Sequence, residues 1–275
     1  MSKKTPRILL QLSDMHVVPD AQKNSNWVKV GDALHRVVEW VNNLSARPEA
    51  IVVTGDLVDD GHPESYACLK DFLGAFDFPI YVIPGNHDDR EHLKEACPEF
   101  MGDVISQKKK FIQYAVNIAG VRLVTLDTLE TGQSHGVLCD ERLQWLADTL
   151  VQEPEMPTII AMHHPPFKTG MRFMDEVRLL QGAERLESII SEHKQVKRLI
   201  CGHQHRPSMQ SFGNTLAIVA PSASHQLTPQ LKKDDPLGYT HERASVMMHV
   251  WHDEDHFMAS HLLGITGTLN KILFD

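Results

Sequence analysis

Short apolar runs alternate with amphipathic segments over the first part of the chain. The run at 8–12 predicts a first strand, and the apolar positions within 30–44 fall at helical spacing. A strand near Ile51 follows, then a helix that begins at Pro63 and a strand over 80–83. Strands that take turns with helices favour parallel pairing, so we expect a largely parallel sheet here.

The pattern changes after residue 110. Two strand-like runs at 111–116 and 121–126 are separated by a four-residue connection typical of a hairpin, which predicts the start of a second sheet. The remaining predicted elements are helices over 141–150 and 183–193 and strands at 158–162, 196–201, 208–212, 215–219 and 244–251. Residues 19–29 and 222–243 are predicted as long loops, and such loops usually decide which substrate fits.

Five of the apolar runs end directly on side chains that can bind metals. They are followed by Asp14-Met15-His16, Gly55-Asp56, Gly85-Asn86-His87-Asp88, His163-His164 and Gly202-His203-Gln204-His205. Because α/β sheets place their sites at the carboxyl ends of strands, we expect these groups to converge. A carboxylate has two oxygens and can bridge two cations, so Asp56 is predicted to be the centre of a metal site.

The donor types narrow the choice of metal. Imidazole nitrogens mixed with carboxylate and amide oxygens suit Mn, Fe, Co or Zn better than Ca or Mg. The motifs contain no cysteine, which weighs against a purely structural zinc site. The sequence leaves the metal open among these four.

Charge and composition exclude several classes of partner. The formal net charge is −9 and the only basic run, at 108–110, is expected in a solvated loop, so long nucleic acid is not predicted as a substrate. No window approaches the roughly 20 apolar residues of a membrane helix, and the amino terminus does not resemble a signal peptide. The four cysteines are scattered, which favours reduced thiols and a cytoplasmic location.

The five motifs, in this order over residues 8–206, resemble those of the calcineurin-like metallophosphoesterases. The run Gly85-Asn86-His87-Asp88 and the sequence after Met162 are most like the bacterial branch that holds glycerophosphodiesterases and class III cyclic-nucleotide phosphodiesterases. The resemblance implies a mixed α/β (α+β) fold, a four-layer αββα sandwich of two mixed sheets with a two-metal site between them.

Length and resemblance together suggest the domain organisation. A chain of 275 residues can form one large domain, which we place at 1–240. Residues 241–275 are expected to add carboxyl-terminal strands or a cap to the same domain. Because the related branch forms oligomers through such segments, this stretch is a candidate interface for a homodimer or a larger homo-oligomer.

The family pattern assigns the predicted ligands to two divalent ions. One ion would be held by Asp14, His16, Asp56 and His205, and the other by Asp56, Asn86, His163 and His203. The neutral amide of Asn86 is expected to bind more weakly than a carboxylate, so the second site should fill less completely until substrate arrives.

The resemblance also implies the reaction. A metal-bridging hydroxide would attack a small phosphodiester, either a 3′,5′- or 2′,3′-cyclic nucleotide such as cAMP or a glycerophosphodiester. His87 would donate a hydrogen bond or proton to the leaving oxygen, with Asp56 and Asn86 as the other catalytic residues. His225 resembles a substrate-facing histidine of the same branch.

Two other functions stay open. A phosphomonoesterase of the same fold would meet a dianion with extra Arg or Lys, and Lys168, Arg172 and Arg206 lie close to the motifs in sequence. A scaffold that binds metals without catalysis is the second alternative, although such proteins usually lose ligands and this chain keeps all of them.

Several neighbouring residues have predicted roles of their own. Asp88 either orients His87 or caps the helix that starts at Asp89, and we favour the cap. The side chain of His164 should point away from the ions, either into the core or behind a ligand. The tail histidines are predicted at the surface rather than in a third metal site, and they are His249, His252, His256 and His261.

Overall fold

The computed structural model describes residues 6–19, 30–102, 110–240, 242–252 and 257–265. The helices are α1 Val30–Asn42, α2 Pro63–Leu73, α3 Arg90–Ala96, α4 Asp140–Gln152, α5 Arg172–Glu176 and α6 Ala183–Glu192. The strands are β1 Arg7–Leu12, β2 Ala50–Thr54, β3 Ile80–Ile83, β4 Ala115–Ile118, β5 Val121–Leu126, β6 Gly136–Val137, β7 Thr158–Met162, β8 Leu179–Gln181, β9 Val196–Cys201, β10 Ser208–Phe212, β11 Thr215–Val219, β12 Gln226–Leu227, β13 Tyr239–Thr240, β14 Ser245–His252 and β15 Phe257–Gly264.

Two mixed sheets carry the fold. The first has the order β15-β14-β1-β2-β3, in which β1, β2 and β3 are parallel and β14 runs antiparallel to β1. The second has the order β10-β11-β9-β7-β5-β4, with four parallel central strands and an antiparallel strand at each edge. Both the parallel first half and the hairpin that opens the second sheet are therefore confirmed.

The sheets pack face to face between two helical layers. Leu9, Val52 and Ile83 of the first sheet lie in one buried cluster with Ile159 and Ile200 of the second. On their outer faces the first sheet is covered by α1, α2 and α3 and the second by α4 and α6, each through its apolar stripe. This arrangement is the predicted four-layer αββα sandwich.

Some predicted boundaries and elements differ from the structure. The strand expected at 111–116 begins only at Ala115, because the N–H groups of Ile112 and Tyr114 donate to the side chains of Asp127 and Thr125 rather than to backbone carbonyl oxygens. The sequence pattern does not predict the short helix α5 or the short strands β6 and β8, and the loop expected over 222–243 contains the paired strands β12 and β13. Of the loop predicted at 19–29, all but the first residue lies outside the described residues.

The carboxyl-terminal strands join the first sheet rather than standing apart. β14 pairs with β1 along Arg7 to Gln11, and β15 covers the outer edge of β14. The assignment of the oligomer interface to this segment stays a prediction. In the part of the chain that the structure describes, no helix has the length and apolar character needed to span a bilayer.

His249 lies in the core, so its predicted surface position is wrong. Its Nδ1 lies 2.8 Å from Ser260 Oγ and its Nε2 lies 3.1 Å from Gln11 Oε1. These contacts hold the ring between β1 and β15, where it is fully buried. His252 is half-buried and His261 is exposed, as expected, while His256 lies outside the described residues.

The buried imidazole of His249 should make stability depend on pH. Burial and the nearby charge of Arg198 lower the pKa of His249 from 6.5 to about 3, so the unfolded chain takes up the proton first. Stability contributed by this group is present above pH 6.5 and is lost on acidification. Between pH 7 and 5 the loss should be about 2 kcal/mol.

Urea unfolding at the two pH values tests this expectation. His249→Gln removes the titrating group, so the variant should lose about 2 kcal/mol less than the parent chain over the same pH interval. Other buried histidines contribute equally to both proteins and cancel in the difference. Equal losses in the two proteins would show that His249 does not titrate as described.

Candidate metal centre

Five of the seven predicted ligands occupy strained backbone positions after the central strands. Among the described residues, six that are not glycine have positive φ, and five of these are predicted ligands. Their φ angles lie between 47° and 74°, and they are Asp14, His16, Asp56, His203 and His205. Left-handed backbone is costly for such residues and persists where the surroundings fix it, which is typical of functional sites.

The glycines beside the ligands permit close approach. A Cβ on Gly85 would lie 2.2 Å from Asp56 Oδ1, and one on Gly55 would lie 2.5 Å from His163 Nδ1. Gly55 also has a φ of 88°, which disfavours any side chain. The Gly-Asp and Gly-Asn pairs of the sequence are therefore explained by the space that the ligands need.

Gly85→Ala is expected to disrupt the centre while the fold survives. The added methyl group overlaps Asp56, so the carboxylate must move and the chain should lose about 1–3 kcal/mol of stability. Isothermal titration with Mn²⁺ should show weakened binding. Gly264→Ala is the matched control, because nothing lies within 4 Å of its added Cβ. Unchanged Mn²⁺ affinity in Gly85→Ala would contradict this interpretation.

One group of predicted ligands surrounds the first metal position. His16 Nε2 lies 3.1 Å from His205 Nε2 and 3.7 Å from Asp56 Oδ2. His205 Nε2 lies 3.6 Å from Asp14 Oδ1. One donor atom from each of these four residues falls within 4.8 Å of all the others. The structure thus brings together all four residues that the family pattern assigns to the first ion.

A second group lies on the other side of Asp56. His163 Nε2 is 3.3 Å from Asp56 Oδ1 and 3.1 Å from Asn86 Oδ1. The ring of His203 packs against His163 with a centroid distance of 5.0 Å, and its buried Nε2 has no hydrogen-bond partner. Asp56 therefore directs one oxygen towards each group, as expected for a bridging carboxylate.

The hydrogen bonds of the rings fix which nitrogen faces the cluster. His163 Nδ1 donates to the carbonyl oxygen of Thr54 at 2.8 Å, and His205 Nδ1 donates to that of His225 at 3.0 Å. Because a carbonyl can only accept, the Nε2 atom of a neutral ring carries the lone pair. The lone pairs of these Nε2 atoms then face carboxylate and amide oxygens. Such a set of acceptors can bind cations placed between them.

Burial and charge shift the pKa values of the cluster in opposite directions. Burial raises the pKa of Asp14 to about 6 and lowers that of His203 to about 3. Burial alone would also raise the pKa of Asp56, but the charges of His163 and His87 hold it well below its usual range. Conversely, Asp56 outweighs burial at His163 and raises its pKa to about 9. Divalent cations would favour the deprotonated form of every one of these groups.

His87 stands at the edge of the cluster and reaches solvent. Its backbone N–H donates to Asp56 Oδ1 at 3.0 Å, and its Nδ1 lies 2.7 Å from the carbonyl oxygen of Asp59. The side chain is 40 % exposed and lines the pocket above the ligands. These contacts leave Nε2 available to a bound molecule.

Asp59 was missed in the sequence. Its Oδ1 lies 2.9 Å from His16 Nδ1, so it orients one predicted ligand, and its carbonyl oxygen accepts from His87. The hydrogen bond to His16 lowers the pKa of Asp59. The sequence offered one signal for this role, namely a second acidic residue three positions after Asp56. The loop that leaves β2 must turn back over the site, so an acidic residue in it can contact a ligand.

Asp88 has neither of the roles predicted for it. The cap of α3 is Asp89, whose carboxylate accepts from the backbone of Glu91 and His92. Asp88 is buried and instead accepts from the N–H groups of Gly85 and Leu57, joining the two loops that carry Asn86 and Asp56. The prediction placed the cap one residue early.

His164 and His225 are both buried beside the ligands. His164 Nδ1 lies 2.8 Å from Thr128 Oγ1, behind the rings of His163 and His203, as its predicted core position requires. The ring of His225 packs 4.6 Å from that of His205. His225 is not among the described residues that line the pocket, so its contact with substrate stays a prediction.

A pocket of about 430 Å³ opens above both groups of ligands. Its floor contains Asp56, Asn86 and His203, and its outer wall is largely apolar. Among its described lining residues there is no lysine or arginine. Neither Arg172 nor Arg206 is among these lining residues, and they donate to the carbonyl oxygens of Lys233 and Leu227 respectively.

The two-sheet sandwich has the metallo-dependent phosphatase fold, and the cluster is a candidate centre for two divalent ions. The model of the calcineurin-like phosphoesterase family matches residues 8–207. The chain therefore belongs to the calcineurin-like phosphoesterase family, whose members use a binuclear divalent metal centre.

Individual relatives agree with this assignment. A probable glycerophosphodiester phosphodiesterase of Arcobacter nitrofigilis is 34 % identical over 247 residues, which cover 90 % of this chain and 89 % of the relative. A probable cyclic nucleotide phosphodiesterase of Synechococcus sp. is 32 % identical and covers 79 % of this chain and 81 % of its own. A solved dimetal phosphatase of Danio rerio shares the fold with a TM-score of 0.66 at 15 % identity, over 96 % of this chain and all of its own.

Proposed function

We propose that this chain hydrolyses small phosphodiesters, namely cyclic nucleotides such as cAMP or glycerophosphodiesters, with two divalent cations. The observation that carries the proposal is the arrangement around Asp56, where imidazole lone pairs and side-chain oxygens face one another across distances of 3.1–3.7 Å. The names of the two relatives support both kinds of substrate.

The proposed ligands follow the two groups. Asp14, His16, Asp56 and His205 would hold one ion, and Asp56, Asn86, His163 and His203 the other. We propose that the ions are Fe, Mn, Co or Zn. Each ion would have imidazole nitrogens among its ligands, whereas Ca and Mg prefer oxygen ligands. When bound, such a pair lowers the pKa of water and neutralises charge on the phosphoryl oxygens.

The residues around the ions would orient the substrate and its leaving group. Asn86 is placed at the pocket floor beside His163, where it can fix a phosphoryl oxygen relative to the centre. His87 Nε2 would supply a hydrogen bond or proton to the leaving oxygen, and Asp59 holds the ring through its carbonyl oxygen. These contacts should be stronger in the transition state than in the bound substrate, because negative charge develops on the leaving oxygen as its bond to phosphorus breaks.

The charge of the pocket favours a diester over a monoester. A diester carries one negative charge and two substituents, whereas a monoester dianion is usually met by additional Arg or Lys. The described lining residues include neither, and Arg172 and Arg206 donate to backbone carbonyl oxygens. A non-catalytic scaffold is disfavoured because every proposed ligand and His87 are present.

We also propose a cytoplasmic setting and self-association. All four cysteines are free, which suits a reducing compartment. The exposed edge strand β15 carries Phe257 and Leu262 at about half exposure, which suits pairing with a second copy. The stoichiometry would be read from light scattering of the full chain.

Turnover of a defined substrate panel by the Mn²⁺-loaded chain tests the function. The panel contains 3′,5′-cAMP, 2′,3′-cAMP, glycerophosphoethanolamine, and an aryl phosphate as monoester and as diester. Diesters should be hydrolysed faster than the monoester, and His87→Ala should lower kcat by about 10²–10⁴-fold with little change in Mn²⁺ binding. His92→Ala is a matched control, since His92 lies five residues further along the chain, in the first turn of α3 and outside the pocket.

The outcomes separate the alternatives. Preference for the monoester would make the chain a phosphomonoesterase. Tight Mn²⁺ binding without turnover of any member would favour the scaffold. Equal kcat values for the parent chain and His87→Ala would remove His87 from the mechanism while leaving the diesterase assignment in place.

A further inference from the structure

Large exposed apolar side chains gather at one wall of the pocket. Phe173, Leu237 and Tyr239 are 44 %, 52 % and 47 % exposed, and all three line the pocket. Exposed apolar groups that share a concave surface mark ligand sites more often than scattered ones do. We call these three residues the apolar wall.

The apolar wall is built by two segments that brace each other. Met171 and Met174 of the α5 segment pack with Leu227 of β12 in a small core of their own. The backbone N–H of Arg172 donates to the carbonyl oxygen of Gln230 at 3.0 Å. Phe173 on α5 is therefore held in a fixed position relative to the β12–β13 hairpin that carries Tyr239.

Tyr239 also contacts the metal centre through one intermediate ring. Its ring stands edge-on to that of His225 at 4.5 Å, and the ring of His225 in turn lies 5.3 Å from that of His16. A phosphate bound at the ions would thus place one of its substituents beside Tyr239.

The wall has little to offer a charged substituent. Among the described residues that line the pocket, the carboxylates are Asp56 and Asp59. Asp56 belongs to the metal cluster, and Asp59 lies 2.9 Å from His16 Nδ1. An apolar surface with two aromatic rings instead favours flat, uncharged groups, because aromatic side chains stack on any nucleobase or similar flat ring.

We propose that the apolar wall is a specificity-determining subsite for a flat, uncharged ring on the diester, such as a nucleobase or an aryl group. Among the substrates considered above, this favours cyclic nucleotides over glycerophosphodiesters with flexible polar alcohols. The inference rests on the proposed function, since the metal centre must hold the phosphate that the ring accompanies.

The double variant Phe173→Ser/Tyr239→Ser tests the subsite. For 3′,5′-cAMP and the aryl diester its KM should rise about 10–100-fold with kcat nearly unchanged, as expected for lost base stacking. For glycerophosphoethanolamine kcat/KM should stay within about twofold. Met209→Ser is the control, because Met209 is 62 % exposed on β10 and outside the pocket.

Binding of adenosine alone provides a readout that does not need turnover. Calorimetry should detect adenosine on the parent chain and on Met209→Ser, with binding at least about tenfold weaker in the double variant. Urea unfolding of each variant would establish that the fold is retained.

The results distinguish failure of the subsite from failure of the function. Turnover of diesters with identical KM values in the double variant would overturn the subsite alone. Adenosine binding that depends on Phe173 and Tyr239, without diester turnover, would overturn the proposed function and retain the ring site. A larger loss for glycerophosphoethanolamine than for cAMP would overturn the inference in favour of an aromatic cage for the ammonium group.

Discussion

Asp56→Asn is expected to abolish phosphodiester turnover while the chain stays folded. One carboxylate lies between the two groups of proposed ligands, so the substitution weakens both metal positions at once. Stabilisation of charge by bound cations supplies several kcal/mol, which corresponds to at least about a 10³-fold fall in kcat/KM. Kinetics with a diester and metal content by mass spectrometry would be measured together.

The control for this experiment lies in the same loop. Asp60 is outside the pocket and caps the turn by accepting from His62 N–H, so Asp60→Asn should keep both turnover and metal content. Asp56→Asn should lose metal in parallel with activity. If it retained the full metal content and hydrolysed diesters at the rate of the parent chain, Asp56 could not be the bridging ligand.

Asp127→Ala should cause the largest loss of stability of any single change proposed for this chain. Asp127 is fully buried at the end of β5, and its two oxygens accept from Arg90 Nε at 2.6 Å and Arg90 Nη2 at 2.8 Å. It also accepts from the backbone N–H groups of Ile112 and Leu129. Removing it leaves the guanidinium of Arg90, which is only 14 % exposed, without its carboxylate partner, at a cost of about 3–5 kcal/mol.

Urea unfolding would measure this cost against an exposed pair of equal length. Arg185 Nη1 lies 2.6 Å from Asp140 Oδ1, but Asp140 is 94 % exposed, so Asp140→Ala should cost no more than about 1 kcal/mol. The double variant Arg90→Leu/Asp127→Leu should lose less than the sum of the two single changes, because neither charge is then left alone. Similar losses of unfolding free energy for Asp127→Ala and Asp140→Ala would show that the Arg90–Asp127 pair stabilises the fold no more than an exposed pair does.

The same pair connects the first sheet to the second beside the metal centre. Arg90 begins α3 directly after the loop of Asn86, and Asp127 follows β5 in the other sheet. The ring of Phe111 lies 5.4 Å below the guanidinium of Arg90 and 4.3 Å from that of Arg142. Nothing in the local pattern of these residues predicts their contact, because they are separated by long stretches of chain.

Much of the site could be predicted because its signals are local. A buried strand gives a continuous apolar run, and the residues that follow it, such as Gly55-Asp56 and Gly85-Asn86, fall at one edge of a parallel sheet for purely geometric reasons. The predicted ligands accordingly lie together in the structure. Whether each binds metal stays a prediction that the experiments above address.

Other features depended on which distant segments pair. His249 belongs to a histidine-rich tail with an acidic run at 253–255, yet β14 lies between β1 and β15, and this position buries it. Asp88 and Asp89 cannot be told apart as caps by residue type, and only the path of the loop turns Asp88 towards Gly85 and Leu57. Propensity does not specify such long-range packing.

By itself the sequence determined the parallel first half, the order of the strands that carry chemistry and the residues at their ends, because period and turn chemistry act within a few residues. The four-layer class followed from the resemblance of these motifs to a known family. Tertiary structure alone decided the Arg90–Asp127 pair, the role of Asp59 and the apolar wall. Each of these brings together groups from separate elements, and their contact depends on how the two sheets and the α5 and β12–β13 segments pack.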